Sequence, residues 1–203
     1  GIWKSKCMRI IGLTGSMGMG KSTASCMIKG FGIPVHDSDQ AVHKALAFDG
    51  PALGAIRQRF PEAYQCGSIN RQVLGKLVFN DDEAIADLER ILHPIVKQDR
   101  HRFFKRHRAQ QISLVVIDVP LLFETDTYQE CYQTIVISAP SSVQARRVLS
   151  RSGMTIEKFQ SIKSRQIPDI EKRKLGDIVI PSHLGRRFTI NKLKKFFYTL
   201  RRR

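Results

Sequence analysis

Met8-Arg-Ile-Ile-Gly-Leu-Thr-Gly-Ser-Met-Gly-Met-Gly-Lys-Ser-Thr23 sets the architecture of everything that follows it. Met8, Ile10, Ile11 and Leu13 make a short apolar run of the kind a buried strand needs. Gly15-Ser-Met-Gly-Met-Gly-Lys21-Ser22 then fits the phosphate-loop pattern G-x-x-x-x-G-K-[ST]. Glycines let the backbone curl so that successive N–H groups point inward at phosphate oxygens. A helix starting near Lys21 adds the positive end of its dipole. Lys21 would reach the β- and γ-phosphates as a point charge, and the Ser22 hydroxyl can ligate Mg²⁺. A Gly-rich turn before an ordinary helix is the bland alternative. The apolar strand in front and the helix-compatible residues 24–29 behind argue against it. Gly15, Gly18, Met19, Gly20, Lys21, Ser22 and Thr23 are therefore the expected nucleotide-phosphate ligands, with Mg²⁺ beside them.

Composition bounds the rest. At 203 residues the chain suits one domain able to bury about 70% of its unfolded surface. Its longest apolar stretch, residues 112–123, is interrupted by Ser113, Asp118 and Pro120 and is too short to span a bilayer. No apolar h-region follows the first lysines, so no secretory signal is expected, and residues 1–7 read as an extension ahead of Met8. Cys7, Cys26, Cys66 and Cys131 lie far apart with no C-x-x-C, which suggests free thiols in a reducing cytoplasm rather than disulfides or zinc.

Net charge is +16 and the isoelectric point about 10.1, which points to polyanionic partners. The charge is uneven. Residues 97–108 carry Lys97, Arg100, Arg102, Lys105, Arg106 and Arg108 against Asp99 alone, and residues 186–203 carry eight basic side chains and no acid. Such runs are most often solvated helix faces.

After the loop helix, residues 33–36 read as a second strand, Asp37-Ser-Asp39 follows, and residues 40–48 have helical spacing. Carboxylates at that strand end sit where open α/β sheets bind ligands. One of the two could orient or deprotonate a hydroxyl nucleophile; capping the next helix is the alternative. Residues 50–110 read as mostly helical, with a turn at 66–71, helices at 51–60, 73–79 and 82–92, and a break and restart at His93-Pro94. Ile112-Ser-Leu-Val-Val-Ile-Asp118 is a β-branched run ending in an acid, the Walker-B arrangement for holding Mg²⁺. A strand at 134–138, helices at 141–150 and 156–166, a short strand at 178–180 and an amphipathic helix at 188–200 complete an α/β alternation.

Taken in order, these pieces resemble the dephospho-CoA kinase family. The resemblance runs from Met8 to about Gly185. It rests on the phosphate loop, Val35-His-Asp-Ser-Asp39, Asn70-Arg71 with Leu74, Leu92-His93-Pro94, Asp118-Val-Pro-Leu-Leu-Phe-Glu124, Arg147 to Arg151, Arg165-Gln-Ile-Pro168, Lys172 and Gly176-Asp-Ile-Val-Ile180. It implies a P-loop kinase fold: a central parallel five-stranded sheet flanked by helices, a helical substrate region at about 50–110 and a lid at about 141–172. The implied reaction moves the γ-phosphoryl of ATP to the 3′-hydroxyl of dephospho-CoA, the last step of coenzyme A synthesis. On the same basis Asp39 looks like the base, with Asp37 beside it. Arg71, His93, Pro120 and Glu124 look like substrate contacts, Ser22 and Asp118 like the metal site, and Arg147 and Arg151 like lid residues closing on the phosphates.

The chain departs from the family pattern at Ser152, where Asp is usual, and at Pro181-Ser182, where Asp-Asn is usual. The basic C-terminal helix, about 188–203, lies beyond the pattern. A nucleoside monophosphate kinase would share the loop and lid but would not need Leu-His-Pro and Pro-Leu-Leu-Phe-Glu together. A nucleic-acid-dependent ATPase would explain the charge but not those motifs, so nucleic acid is not expected as a partner. A GTP-binding switch would need a carboxylate that Asn191-Lys-Leu-Lys194 lacks.

Overall fold

The computed structural model describes residues 8 to 202; residues 1–7, with Cys7 and the expected N-terminal extension, and Arg203 lie outside the described residues. In chain order the elements are β1 (Arg9–Thr14), α1 (Lys21–Gly30), β2 (Val35–Asp37), α2 (Ser38–Leu46), α3 (Leu53–Arg59), β3 (Tyr64–Gln65), β4 (Ser68–Ile69), α4 (Arg71–Val78) and α5 (Asp82–Ala109). They continue as β5 (Leu114–Asp118), β6 (Gln133–Ser138), α6 (Ser141–Leu149), α7 (Ile156–Ser164), α8 (Asp169–Leu175), β7 (Ile178–Pro181) and α9 (Arg186–Arg202).

A five-stranded sheet has the order β2-β5-β1-β6-β7, and β1 runs parallel to both β5 and β6. The chain leaves β1 toward one edge of the sheet and leaves β6 toward the other. That makes the carboxyl end of β1 a topological switch point, where ligands bind in open α/β sheets. Register pairs Leu13 with Asp118, so the carboxylate ends β5 level with the strand that feeds the glycine loop.

The residues cluster into two compact units, one made of the chain up to His36 together with Gln111 onward, the other of Asp37–Gln110. The sheet unit packs Ile11, Leu13, Val116, Ile135 and Ile137 against Ile28 of α1 and Leu193, Phe197 and Leu200 of α9. Helices α1 and α9 pack side by side on one face of these strands. The C-terminal helix is therefore a structural part of this unit: Arg186, Arg187, Lys192, Lys194, Lys195 and Arg201 are exposed, while its apolar stripe completes the core.

The helical unit has its own core, formed around Ala45, Leu46, Ile56, Phe60, Ile69, Leu74, Ala84 and Leu92. It starts at Asp37, so it takes in α2 as well as the expected residues 50–110. Two local expectations change. The turn at 66–71 is a small hairpin of β3 and β4 closed by Cys66 and Gly67, both with positive φ, and α4 starts already at Arg71. The expected break at His93-Pro94 does not occur: α5 runs 28 residues with Pro94 inside it. Proline removes one i→i−4 bond there. The apolar stripe of Ala84, Leu88, Leu92 and Ile95, packed into the unit's core, holds the helix across that gap. Asp87 on this helix is flanked by Arg90, one turn on, and by Arg59 at the end of α3; the hydrogen bond from Arg59 holds that carboxyl below its usual range.

Candidate active site

Gly20 precedes α1 in a left-handed conformation, φ +93°, and supplies no side-chain cap, and the first turn contains no acid. The leading N–H groups of α1 are thus left open, with the positive end of the helix dipole behind them. Gly18 also has positive φ, and a Cβ on it would stand 2.5 Å from Val148 Cγ2 on α6. A Cβ on Gly15 would stand 2.7 Å from the Ile137 carbonyl on β6. The loop is glycine-rich because neighbouring backbone and side chains press against it, in addition to its curl.

Side chains from later in the sequence brace this loop. Gln144 Nε2 donates to the Met17 carbonyl at 2.8 Å, and the Met17 N–H donates to Gln166 Oε1 at 3.2 Å. The Met19 side chain is buried, its sulfur accepts from the Ala139 N–H at 3.1 Å, and its own N–H donates to the Ser16 carbonyl at 3.1 Å, so Met19, expected as a nucleotide ligand, is engaged within the protein. Ser182 Oγ donates to the Met19 carbonyl and accepts from Arg147 Nη1 at 2.9 Å, while Arg147 Nη2 donates to the Ser182 carbonyl at 3.1 Å. The departure at Pro181-Ser182 thus acquires a role: Ser182 ties β7 and Arg147 to the loop. Arg151 follows α6 and is exposed, as are Ser22 and Thr23 in the first turn of α1.

Lys21 Nζ donates to Asp118 Oδ1, and the side chains are only 12% and 3% exposed. A buried ammonium and carboxylate compensate each other's desolvation here. The donor set fits Mg²⁺: one hydroxyl from Ser22 and one carboxylate from Asp118, the few protein oxygens that this ion takes when phosphates and water supply the others. Among the described residues no group of three or more His, Cys, Asp or Glu could hold a metal ion alone.

The turn after β5 is fastened by Lys172 of α8. Lys172 is fully buried and donates to the Pro120 carbonyl at 3.0 Å and to Glu124 Oε1 at 2.9 Å. Thr14 Oγ1 donates to the same carbonyl at 3.1 Å, and the Ile167 N–H donates to Glu124 Oε1 at 2.8 Å. One oxygen of Glu124, expected as a substrate contact, is thereby engaged within the protein. Its Oε2 is buried with no hydrogen-bond partner among the described residues.

Within the helical unit, Asp37 Oδ1 accepts from the Gln40 N–H at 3.0 Å and caps α2. That leaves Asp39, exposed in the first turn of α2, free of the capping task. Arg71 opens α4 and donates to His43 Nδ1 at 2.8 Å. His43 lies one turn along α2 from Asp39, on the same face, so Arg71 is drawn to the face that carries Asp39. His93 is exposed on α5.

The family model for dephospho-CoA kinase matches residues 9–184. The chain belongs to the dephospho-CoA kinase family. A dephospho-CoA kinase of Paramagnetospirillum magneticum is 46% identical over 166 residues, 82% of this chain and 78% of the relative. One of Mesorhizobium japonicum is 44% identical over 178 residues, 88% and 89% of the two chains. Among solved structures, TT1252 from Thermus thermophilus superposes with a TM-score of 0.80 at 31% identity, covering 96% of this chain and 98% of that one. Dephospho-CoA kinase from Campylobacter jejuni, at 22% identity and a TM-score of 0.63, shares the fold and covers 95% and 97%.

The dephospho-CoA kinase motifs account for the loop, Asp118 and the turn after it. They assigned nothing to Gln144, Ser182 or His43, and Lys172 and Gln166 entered only as parts of a pattern. No local signal distinguishes Gln144 from any other helix glutamine. Its importance comes from a hydrogen bond 127 residues away in sequence.

Proposed function

We propose that this chain is an ATP-dependent kinase that phosphorylates the 3′-hydroxyl of dephospho-CoA to give coenzyme A. The observation that carries the reading is the Lys21–Asp118 pair at the mouth of an open, uncapped glycine loop, in a chain of this family. Gly15, Gly18 and Gly20 to Thr23 bind the ATP phosphates through backbone N–H groups, Lys21 and the hydroxyls of the first turn, while Met19 holds the loop in shape. Ser22 and Asp118 hold Mg²⁺, which when bound neutralises charge on the phosphates. Arg147 and Arg151 bring further positive charge from the lid side. Phosphoryl transfer depends mainly on positioning and on such charge neutralisation.

Asp39 orients the acceptor hydroxyl and takes its proton, a role supported by its exposure and by Asp37 being occupied as the cap. Such a base adds about 10²–10⁴-fold. Arg71 and His93 contact dephospho-CoA, and Pro120 and Glu124 shape the acceptor side. Among the described residues Cys26, Cys66 and Cys131 form no disulfide, which suits the reducing cytoplasm to which we assign the enzyme. Among the described residues no helix is long and apolar enough to cross a membrane.

A coupled ADP-release assay tests the reading with dephospho-CoA, a nucleoside monophosphate and DNA in parallel. ADP should appear only with dephospho-CoA, and Lys21→Ala should lower turnover by about 10²-fold or more. ADP release driven by the monophosphate or by DNA would replace this function with the corresponding one.

A further inference from the structure

Gln166 lies between α7 and α8, half-buried, in a segment that touches two loops at once. Its Oε1 accepts from the Met17 N–H at 3.2 Å, in the loop after β1. The next residue, Ile167, donates its N–H to Glu124 Oε1 at 2.8 Å, in the turn after β5. Strands β1 and β5 are adjacent and parallel, and the Lys21–Asp118 pair joins the same two strand ends. Residues 166–167 therefore bridge, within one peptide step, the loops that flank that pair.

The orientation of the side-chain amide follows from chemistry. A main-chain N–H can only donate, so the atom facing Met17 is the carbonyl oxygen and Nε2 is the end left over. Nε2 carries two N–H donors with no partner among the described residues. Gln144 fixes the carbonyl of the same Met17 residue, so the mooring point is itself held rigid.

Resting on the kinase reading, we propose that Gln166 is a catalytic residue whose moored amide donates an Nε2–H hydrogen bond to the phosphoryl group in transfer. In that step the acceptor oxygen bonds to the γ-phosphorus and the bond from that phosphorus to the β–γ bridging oxygen breaks. The electron pair leaves with ADP, and the hydroxyl proton passes to the base. Gln166 gives up no proton; it stabilises charge on a non-bridging oxygen. A preorganised neutral donor aimed at developing charge is the arrangement whose loss costs about 10²–10³-fold in turnover.

Two variants separate this role from simple bracing. Q166A removes both ends of the amide. Q166E keeps an acceptor for the Met17 N–H but removes the donors and adds negative charge beside the phosphates. For each folded enzyme, confirmed by thermal melting, kcat and KM for dephospho-CoA and the affinity for a non-hydrolysable ATP analogue are measured. The proposal expects Q166A to lose about 10²-fold in kcat with KM little changed. Q166E should be at or below Q166A at neutral pH and recover as pH falls and the carboxyl regains a proton to donate. Turnover of Q166E above that of Q166A at neutral pH would overturn the proposal in favour of a brace, as would Q166A at the wild-type rate. A wild-type protein that turns over no dephospho-CoA would instead defeat the kinase reading.

Discussion

Asp37 and Asp39 stand two residues apart and do different work. Asp37 spends its carboxylate on the amide of Gln40, which an N-cap must do to satisfy a helix start. Asp39 faces solvent with no such duty. Asp39→Asn should therefore keep affinity for ATP and lose at least about 10²-fold in turnover, read by equilibrium nucleotide binding beside steady-state kinetics. Near-normal turnover would move the role to Asp37. Lys172 poses a second residue-scale test. It is fully buried and answers the charge of Glu124. Lys172→Met should cost about 3–5 kcal/mol by stranding that charge, measured by denaturant unfolding. Adding Glu124→Gln to it should recover part of the loss. Little effect of the single change would show that water reaches Glu124 and answers its charge.

Among the elements, α9 differs most from what its composition suggests. Eight basic residues and no acid in residues 186–203 read as a solvated helix face. The helix instead seats Leu193, Phe197 and Leu200 in the core of the sheet unit, and Arg9 Nη1 donates to the Leu200 carbonyl at 2.8 Å. Leu193→Ala should destabilise the protein by about 2–5 kcal/mol while leaving KM for both substrates close to wild type. An unchanged unfolding midpoint would return α9 to the status of a solvated helix. Helix α5 makes the converse point. His93-Pro94 carries a strong local stop signal, yet the helix continues, because an apolar stripe packed along its length outweighs one missing hydrogen bond.

At the scale of the whole molecule, a net charge of +16 opposes compaction through self-repulsion. Raising salt from a few millimolar to about 0.15 M shortens the screening length to about 8 Å and should raise the melting temperature, followed by calorimetry or circular dichroism. A melting temperature that falls over that range would show that surface ion pairs outweigh the repulsion. The parts of this protein encoded by short-range order were readable from the chain: the apolar run into the glycine loop, the acid closing β5, the alternation of strands and helices and the family motifs. Each of these depends on neighbours within a few residues, where spacing and side-chain type govern backbone geometry directly. Folding in three dimensions assigned the rest. It divided the two aspartates between capping and solvent exposure, buried Lys172 against Glu124, seated α9 in the core, and set Gln144, Gln166 and Ser182 around a loop more than a hundred residues upstream. Those contacts depend on burial and on donors meeting acceptors across the fold, quantities that have no value until the chain has closed on itself.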